Sequence, residues 1–316
     1  MFTLRVSLLV VFVLVGVSSC TTGAHMYNEM GLAEYHNGKY RLAISHFDMA
    51  IRFNSRFAQA FTNRGLCFTA LGEHDRAIRD HDKAITLNPK LALAFNNRGY
   101  AFHEKGELDN ALVDYNKALH LDPKLAIAYL NRCTIFYSKG DYERTVSDCT
   151  KAVKNNPKLV AAWNNRGLGY YMQGESDSAI SDFNEAIRLD PSNANSHSNR
   201  GLAYYEEGEL DLALKDLNEA IRLSPTDFQA VLVRAKTYEA QSVCDKAIVD
   251  FTKAIEMEPG SLDAHLGRGR CYMSMGRKPE AATDFQWAVD NAESDEDKAA
   301  AVALLRVLGL KKPSTK

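Results

Sequence analysis

The sequence lacks the short motifs that mark most active sites. It contains no GxSxG nucleophile turn, no phosphate-binding loop and no HExxH zinc motif. None of its six cysteines lies in a CxxC pair or in a Cys/His cluster with the spacing of metal ligands. This excludes zinc-finger and thioredoxin-like sites. The chain is therefore predicted not to be an enzyme, and neither a cofactor nor a metal is expected.

A basic excess is also missing. The chain has 38 lysine and arginine residues against 40 aspartate and glutamate residues, and its formal net charge at pH 7 is −2. Removal of residues 1–19 would delete one basic residue, Arg5, and leave a net charge of −3. A nucleic-acid-binding domain needs a concentrated basic surface, so nucleic acid is not an expected partner.

Long apolar runs are scarce in this sequence, and the one that stands out lies near the N-terminus. Residues 6–17, VSLLVVFVLVGV, are too few to span a bilayer but suit the hydrophobic region of a signal peptide. The run ends in Val17-Ser18-Ser19-Cys20, which resembles the lipobox of bacterial lipoprotein precursors. That resemblance implies a signal peptide over residues 1–19, lipidation of Cys20 and a short tether over residues 20–23. The protein would then be anchored by lipid, in a bacterial outer membrane facing the periplasm. An ordinary secretory signal, which would give a secreted protein, and an uncleaved anchor are the alternatives.

The rest of the chain is built from an internal repeat of 34 residues. The fifth unit carries Trp163, Gly167, Tyr170, Ala179, Phe183, Ala186 and Pro191 at the spacing of the tetratricopeptide signature. The sequence therefore resembles a tetratricopeptide repeat protein over residues 24–295. The eight units cover residues 24–57, 58–91, 92–125, 126–159, 160–193, 194–227, 228–261 and 262–295.

Each unit has the pattern of two helices, here called A and B, with positions numbered from the first residue of the unit. Apolar or small residues recur at positions 4, 8 and 11, and again at positions 20, 24, 27 and 28. A glycine turn separates the two runs, with Ser242 in its place in the seventh unit, and a proline usually follows the second run, with Ser55 in its place in the first. One such pair cannot bury its apolar stripe alone, so neighbours must stack. The resemblance implies an all-α fold, a right-handed α-solenoid of about eight helix pairs. We expect a capping helix over residues 296–309 and a solvated tail over residues 310–316.

An arginine interrupts the inward stripe of helix A at position 7 in seven of the eight units. The same seven units carry an aspartate at position 23 of helix B, whereas the first unit, with Met30 and His46, lacks both. A buried cation needs a partner, so this joint occurrence predicts structural ion pairs rather than catalytic groups. The predicted pairs are Arg64–Asp80, Arg98–Asp114, Arg132–Asp148, Arg166–Asp182, Arg200–Asp216, Arg234–Asp250 and Arg268–Asp284.

Position 6 lies off the inward stripe and holds an asparagine in five consecutive units: Asn63, Asn97, Asn131, Asn165 and Asn199. Asparagine is a poor helix former, so either common descent of the units preserves it or the amides line a binding surface. In units two to six, the surrounding face of helix A has only two charged residues, Glu104 and Glu206. It also carries Tyr137, Tyr171 and Tyr205, a composition typical of a recognition surface.

In the tetratricopeptide family, helix A lines a concave groove that binds extended peptide. The asparagine row also resembles that of the repeat domain of O-linked N-acetylglucosamine transferases, which holds peptide backbone, although no transferase domain follows here. These resemblances imply that the five asparagines and three tyrosines form a partner-binding groove. The chaperone-tail clamps of the family use a different pattern of lysine and asparagine, and Asn28, Leu32, Leu93 and Asn97 do not reproduce it.

The fourth unit departs from the pattern at two facing positions. Cys133 replaces the glycine of position 8, and Cys149 replaces the bulky residue of position 24. Volume compensation is the simpler interpretation. A disulfide is the alternative, and it requires Cα atoms within about 7 Å of each other. His81, His197 and His265 occupy aromatic positions of their units, so we expect them in the core.

The sequence thus predicts a non-catalytic scaffold or adaptor lipoprotein whose groove binds a protein or an extended peptide in the cell envelope. Its resemblance is to tetratricopeptide lipoproteins that recruit cell-wall hydrolases or proteases, and to others that pilot secretin or barrel assembly. A regulatory or assembly subunit, similar to a pilotin, of an envelope enzyme or secretion complex is therefore the second hypothesis.

Overall fold

A computed structural model describes residues 22–309 of the chain. All regular secondary structure within this range is helical. The predicted signal peptide, Cys20 and the C-terminal tail lie outside the described residues. The chain divides into two compact units, residues 1–157 and 158–316. Each unit is an all-α stack of helix pairs.

The helices follow the 34-residue period. In the first unit they are α1 (22–36), α2 (Tyr40–Phe53), α3 (Ala58–Ala70), α4 (His74–Leu87), α5 (Ala92–Glu104), α6 (Leu108–Leu121), α7 (Ala126–Ser138) and α8 (Tyr142–Asn155). In the second unit they are α9 (Val160–Met172), α10 (Ser176–Leu189), α11 (Ala194–Glu206), α12 (Leu210–Leu223), α13 (Phe228–Ala240), α14 (Cys244–Met257), α15 (Leu262–Ser274), α16 (Lys278–Asn291) and α17 (Asp295–Val307). Odd-numbered helices up to α15 are A helices and even-numbered ones are B helices.

Small residues form the seam between successive repeats. Position 3 of helix A is a fully buried alanine in most repeats, and it packs on the alanine at position 27 of the preceding helix B. Ala94 lies in one cluster with Ala84, and Ala264 in one with Ala254. Helix A also contacts the next helix A, as α3 does α5 in the first unit and α11 does α13 in the second. The A helices of a unit therefore line one continuous face.

The turn between helices A and B needs a left-handed backbone. Gly72 and Gly106, for example, have φ of 75° and 78°, which glycine adopts without a Cβ penalty. The seventh repeat has a serine there, and Ser242 takes the same conformation with φ of 61°. The tertiary packing of that repeat thus imposes the turn on a residue that disfavours it.

Helix A and helix B of one repeat meet at positions 8 and 24. A Cβ added to Gly167 would lie 2.6 Å from the ring of Phe183, so only glycine allows this approach. In the fourth repeat the same contact is covalent, because Cys133 and Cys149 form a disulfide with a Cα–Cα distance of 5.8 Å. The interpretation of two free thiols that merely compensate in volume is therefore wrong. Among residues 22–309, Cys67, Cys244 and Cys271 remain free.

The last helix covers the end of the second unit. Leu305 and Leu308 from the end of α17 are buried in a cluster with Ala281 and Phe285 of α16. The helix begins at a serine cap, where Ser294 accepts a hydrogen bond from the backbone N–H of Asp297. The apolar end of the eighth repeat is thereby shielded from water.

His81 of α4 is a buried imidazole in the core of the first unit. Its side chain is fully buried at position 24, and neither ring nitrogen has a hydrogen-bond partner among the described residues. Burial, and secondarily the charge of Arg98, lower the pKa of His81 to about 3. The folded protein therefore holds this imidazole neutral under conditions in which an unfolded chain would protonate it.

We predict that His81→Phe reduces the loss of stability in acid. Below the unfolded pKa of about 6.5, the unfolded chain binds a proton that the native state rejects. The wild-type free energy of unfolding should therefore lose about 1.4 kcal/mol per pH unit from this group, down to about pH 3. Phenylalanine already fills position 24 in the first, fifth, seventh and eighth repeats, so the variant should fold. Urea denaturation from pH 7.5 to 4.5 measures the difference, with the exposed His120→Gln as control. Parallel pH profiles of the wild type and His81→Phe would contradict the prediction.

Candidate functional site

The arginine of position 7 forms a bidentate ion pair with the aspartate of position 23 in every repeat that carries both. Nε and Nη2 donate to the two carboxylate oxygens at distances between 2.6 and 2.9 Å. The aspartates are buried, and the arginine side chains keep about a fifth of their surface. This planar geometry is what a guanidinium offers and a lysine ammonium does not.

The same guanidinium reaches back to the preceding repeat. Its Nη1 donates to the side chain at position 25 of the preceding helix B. One arginine on helix A thus ties together two B helices and fixes how adjacent repeats stack. The acceptors change along the chain, from Asp48 and Asp82 through Asn116, Asn184 and Asn218 to Thr252.

Burial and pairing oppose each other on the carboxylates. Burial raises the pKa of Asp182, even though the hydrogen bonds from Arg166 act to lower it. Burial acts in the same direction on Asp284, but hydrogen bonds from Arg268 and His265 outweigh it and hold the pKa of Asp284 below its usual range. Loss of one partner from such a site leaves a buried charge unpaired, which is the costly event.

Three of the predicted groove asparagines donate a hydrogen bond to an asparagine of the preceding helix A. Asn63 donates from Nδ2 to Oδ1 of Asn28 at 2.9 Å, and Asn131 does the same to Asn96 at 3.2 Å. In the second unit Asn199 donates to Asn164 at 3.0 Å. In each pair, position 6 of one A helix meets position 5 of the preceding A helix. These amides therefore cross-link neighbouring repeats, a role that the sequence analysis did not assign to them.

Asn97 corrects the predicted groove. Its side chain is buried, and its Oδ1 accepts a hydrogen bond from Nδ2 of Asn96 at 3.0 Å, so it offers little surface to a partner. Asn165, by contrast, is half-buried. An amide carries two N–H donors and an oxygen with two lone pairs. Asn63, Asn131 and Asn199, which are also half-buried, therefore keep hydrogen-bonding capacity for a partner while they bridge repeats.

The most exposed apolar side chains of the helix A face lie at positions 2, 9 and 13. In the first unit they are Leu93, Tyr100 and Ile127, and in the second unit Met172. Sequence reasoning did not single them out, although each lies on the sparsely charged face that it defined. The predicted tyrosines Tyr137, Tyr171 and Tyr205 are only half-buried and so also reach the surface.

Ion pairs occupy the same face in the last two repeats. Lys236 at position 9 pairs with Asp263 of the next repeat at 2.6 Å, from Nζ to Oδ2. Arg270 donates from Nε and Nη2 to the carboxylate of Glu239 at 2.6 and 3.0 Å. The sparsely charged surface of the second unit therefore ends at the seventh repeat.

Across residues 22–309, His, Cys, Asp and Glu side chains nowhere gather in groups of three or more suited to a metal ion. Nor does any helix in this range combine the length and apolar character required to cross a membrane. The features that recur along the molecule are the helix A face and the Arg–Asp ion pairs beneath it.

Family comparisons agree with this architecture. Models described as tetratricopeptide repeat match residues 58–91, 92–125 and 194–227, and a further such model matches residues 232–307. A model described as TPR repeat matches residues 170–208. The first three matches coincide with the second, third and sixth predicted units. The chain is a member of the tetratricopeptide repeat family.

Solved structures with the same fold include proteins of diverse settings. PilF of Pseudomonas aeruginosa is 20% identical with a TM-score of 0.61, covering 66% of this chain and 94% of its own. A tetratricopeptide repeat protein of Parabacteroides merdae is 21% identical with a TM-score of 0.56, covering 80% and 99%. The APC/C hetero-tetramer Cut9–Hcn1 matches at 19% identity and a TM-score of 0.63, covering 74% of this chain and 49% of that one. At these identities the likeness shows the fold alone. No curated protein sequence matches the chain.

We predict that the two carboxylates around Arg98 differ sharply in their effect on stability. Asp114 is buried and binds Nε and Nη2 at 2.7 Å, whereas the Asp82 side chain is 51% exposed. Asp114→Ala should lower the free energy of unfolding by about 3–5 kcal/mol. Asp82→Ala should lower it by about 1 kcal/mol or less, because water screens the pair. Equilibrium denaturation of both variants makes the comparison within one network, and equal losses would contradict it.

Proposed function

We propose that this chain is a non-catalytic scaffold whose helix A face binds a protein or an extended peptide. The observation that carries the proposal is the contrast between the two sides of the repeats. In repeats two to six, the helix A face (positions 2, 5, 6, 9, 12 and 13) has two charged residues among thirty. The outward positions of helix B (18, 19, 22, 25, 26 and 29) have eighteen charged residues among thirty. An exposed surface with so little charge, and with aromatic and aliphatic side chains, fits a binding role.

The partner's chemistry follows from the side chains on this face. Leu93, Tyr100 and Ile127 offer apolar contact in the first unit, beside the half-buried amides of Asn63 and Asn131. Amides bond a peptide backbone without reading its sequence. An extended segment with uncharged side chains is the occupant that these groups favour.

The first repeat supports the proposed lipid anchor at Cys20. Position 3 is buried against the preceding repeat elsewhere, but here it is Met26, which is 52% exposed. Position 7, an arginine in the later repeats, is Met30, which is 42% exposed, and Phe53 at the end of α2 is also exposed. An end repeat normally presents a polar outer face.

The location of this apolar end agrees with a membrane beside it. Helix α1 already includes residue 22, so Met26 lies one helical turn beyond it, about 6 Å along the axis. Lipid chains on Cys20 would hold this end of the first repeat at the bilayer, and interfacial apolar side chains enter the headgroup region by about 5–10 Å. The proposed setting is the bacterial envelope, on the outer membrane facing the periplasm.

We predict that Leu93→Ser with Tyr100→Ser weakens partner binding by about tenfold or more, because contacts at an interface centre each contribute more than about 1 kcal/mol. A pull-down with residues 21–316, followed by mass spectrometry, supplies the partner, and titration of the purified pair gives the affinity. Val113→Ser removes an even more exposed apolar residue, from helix B, and serves as the control. Equal affinities for the two variants would exclude the helix A face. Stoichiometric co-purification with an envelope enzyme or secretion complex would instead favour the regulatory or assembly subunit.

We predict that oxidation of methionine side chains reveals the membrane-facing end. On vesicles of phosphatidylethanolamine with some phosphatidylglycerol, hydrogen peroxide should oxidise Met26 and Met30 several-fold more slowly than in the soluble fragment 21–316. Met172 and Met275, which are 43% and 42% exposed in the second unit, should react at unchanged rates. Mass spectrometry of the same sample reports acyl chains on Cys20, and Cys20→Ala should lack them. An unlipidated Cys20 rejects the anchor, whereas lipidation without protection of Met26 and Met30 rejects only the apposed surface.

A further inference from the structure

One junction between repeats carries sulfur on both sides. Position 17 of one repeat packs near position 10 of the next, as Tyr40 does near Cys67 and Leu108 near Ile135. Between the seventh and eighth repeats these positions hold Cys244 and Cys271. Cys244 is half-buried and packs against the core cluster that contains the buried Cys271.

The two thiols face each other across this junction. Cys244 is the first residue of α14, and its Sγ lies 3.1 Å from Oγ of Ser274. Ser274 lies one turn after Cys271 on α15, so both point from the same side of that helix. Burial, and next a hydrogen bond with the Cys244 side chain, raise the pKa of Cys271. The two thiols are therefore close neighbours, and both are free.

A cavity gives a reagent access to the pair. It has a volume of about 490 Å³ and is lined by both cysteines together with Glu239, Arg270 and Met275. The two thiols take part neither in the Arg–Asp ion pairs nor in the proposed binding face of helix A. The Cys133–Cys149 disulfide, in contrast, joins the two helices of a single repeat.

We propose that Cys244 and Cys271 are a redox modification site, which interconverts between two thiols and a disulfide that joins α14 to α15. The oxidant is a disulfide, either a small molecule such as oxidised glutathione or a protein disulfide. Oxidation closes a loop across the junction of the last two repeats and restrains α15 to α17 relative to α14.

The reaction balances as two successive thiol–disulfide exchanges. The more accessible Cys244 loses its proton and its sulfur attacks the reagent, whose S–S bond breaks and releases one thiol. Cys271 then loses its proton and attacks the Cys244 sulfur of the mixed disulfide, which releases the second thiol. The protein loses two electrons and two protons, and the reagent gains both. A dithiol reductant reverses the sequence.

The experiment uses the folded mature chain in glutathione buffers of graded redox ratio, followed by acid quenching, alkylation, digestion and mass spectrometry. We expect a peptide linked through Cys244 and Cys271 to appear in oxidising buffer and to vanish with dithiothreitol. Cys67 is the internal control, because it is a buried thiol at the same position 10 with Tyr40 opposite, and it should stay alkylatable throughout. Retention of free thiols at both Cys244 and Cys271, or a link from Cys244 to a second chain, would overturn the proposal.

Two variants separate a redox role from a structural one. Alanine occupies position 10 in the first, third and sixth repeats, so Cys271→Ala should fold. It should accumulate the glutathione adduct on Cys244 that the wild type resolves into a disulfide. Oxidation should raise the melting temperature of the wild type by more than that of Cys244→Ser, which keeps only the Cys133–Cys149 bridge. A persistent glutathione adduct on wild-type Cys244, or equal melting shifts in wild type and Cys244→Ser, would contradict the assignment.

Discussion

The position 7 arginine is the interaction on which the repeat architecture depends. Its guanidinium uses Nε and Nη2 for the aspartate of its own helix B and Nη1 for position 25 of the preceding one. The bridge acts together with the small-residue seam and the amide pairs to set the angle between a helix pair and its neighbour. Five donors in one rigid plane allow a single side chain to satisfy both partners, which an ammonium on a flexible stem does not do.

The bridge also explains why one face of the repeats is available for binding. Because the arginine and the glycine–aromatic contacts fix helix A from its inner side, part of the opposite side of helix A can remain exposed. Amide pairs such as Asn131 with Asn96 add hydrogen bonds between A helices without placing charge on this face. Towards the end of the second unit the links change character, and Lys236–Asp263 and Arg270–Glu239 join neighbouring A helices through full charges. A partner that avoids desolvating these pairs is confined to the earlier repeats.

Features that recur with the 34-residue period were predictable from the sequence, and features that depend on packing between repeats were not. Helix pairs followed from the apolar spacing, and the Arg–Asp partners from their joint absence in the first repeat, which has Met30 and His46 instead. The asparagine bridges were missed because positions 5 and 6 of successive units become neighbours only when the A helices stack. Position 25 was counted among the outward positions of helix B, because its contact with the arginine of the next repeat also forms only when the repeats stack. The Cys133–Cys149 bond depends on the distance between the two Cα atoms. The residue types at positions 8 and 24 alone do not decide between two free thiols and a disulfide.

The ends of the described chain differ in a way that bears on where the protein resides. At the C-terminal end, α17 buries Leu305 and Leu308 against α16, so the eighth repeat presents no open apolar seam. At the N-terminal end, no helix among the described residues covers Met26 and Met30, and the seam that alanines fill in later repeats stays exposed. A contiguous exposed apolar patch commonly marks a surface that another molecule or a membrane covers. The uncovered end is the one that follows the proposed lipid anchor in the sequence, whereas the covered end is the C-terminal one. This asymmetry is what the proposed anchor would explain, since a bilayer could cover the exposed apolar side chains of the first repeat.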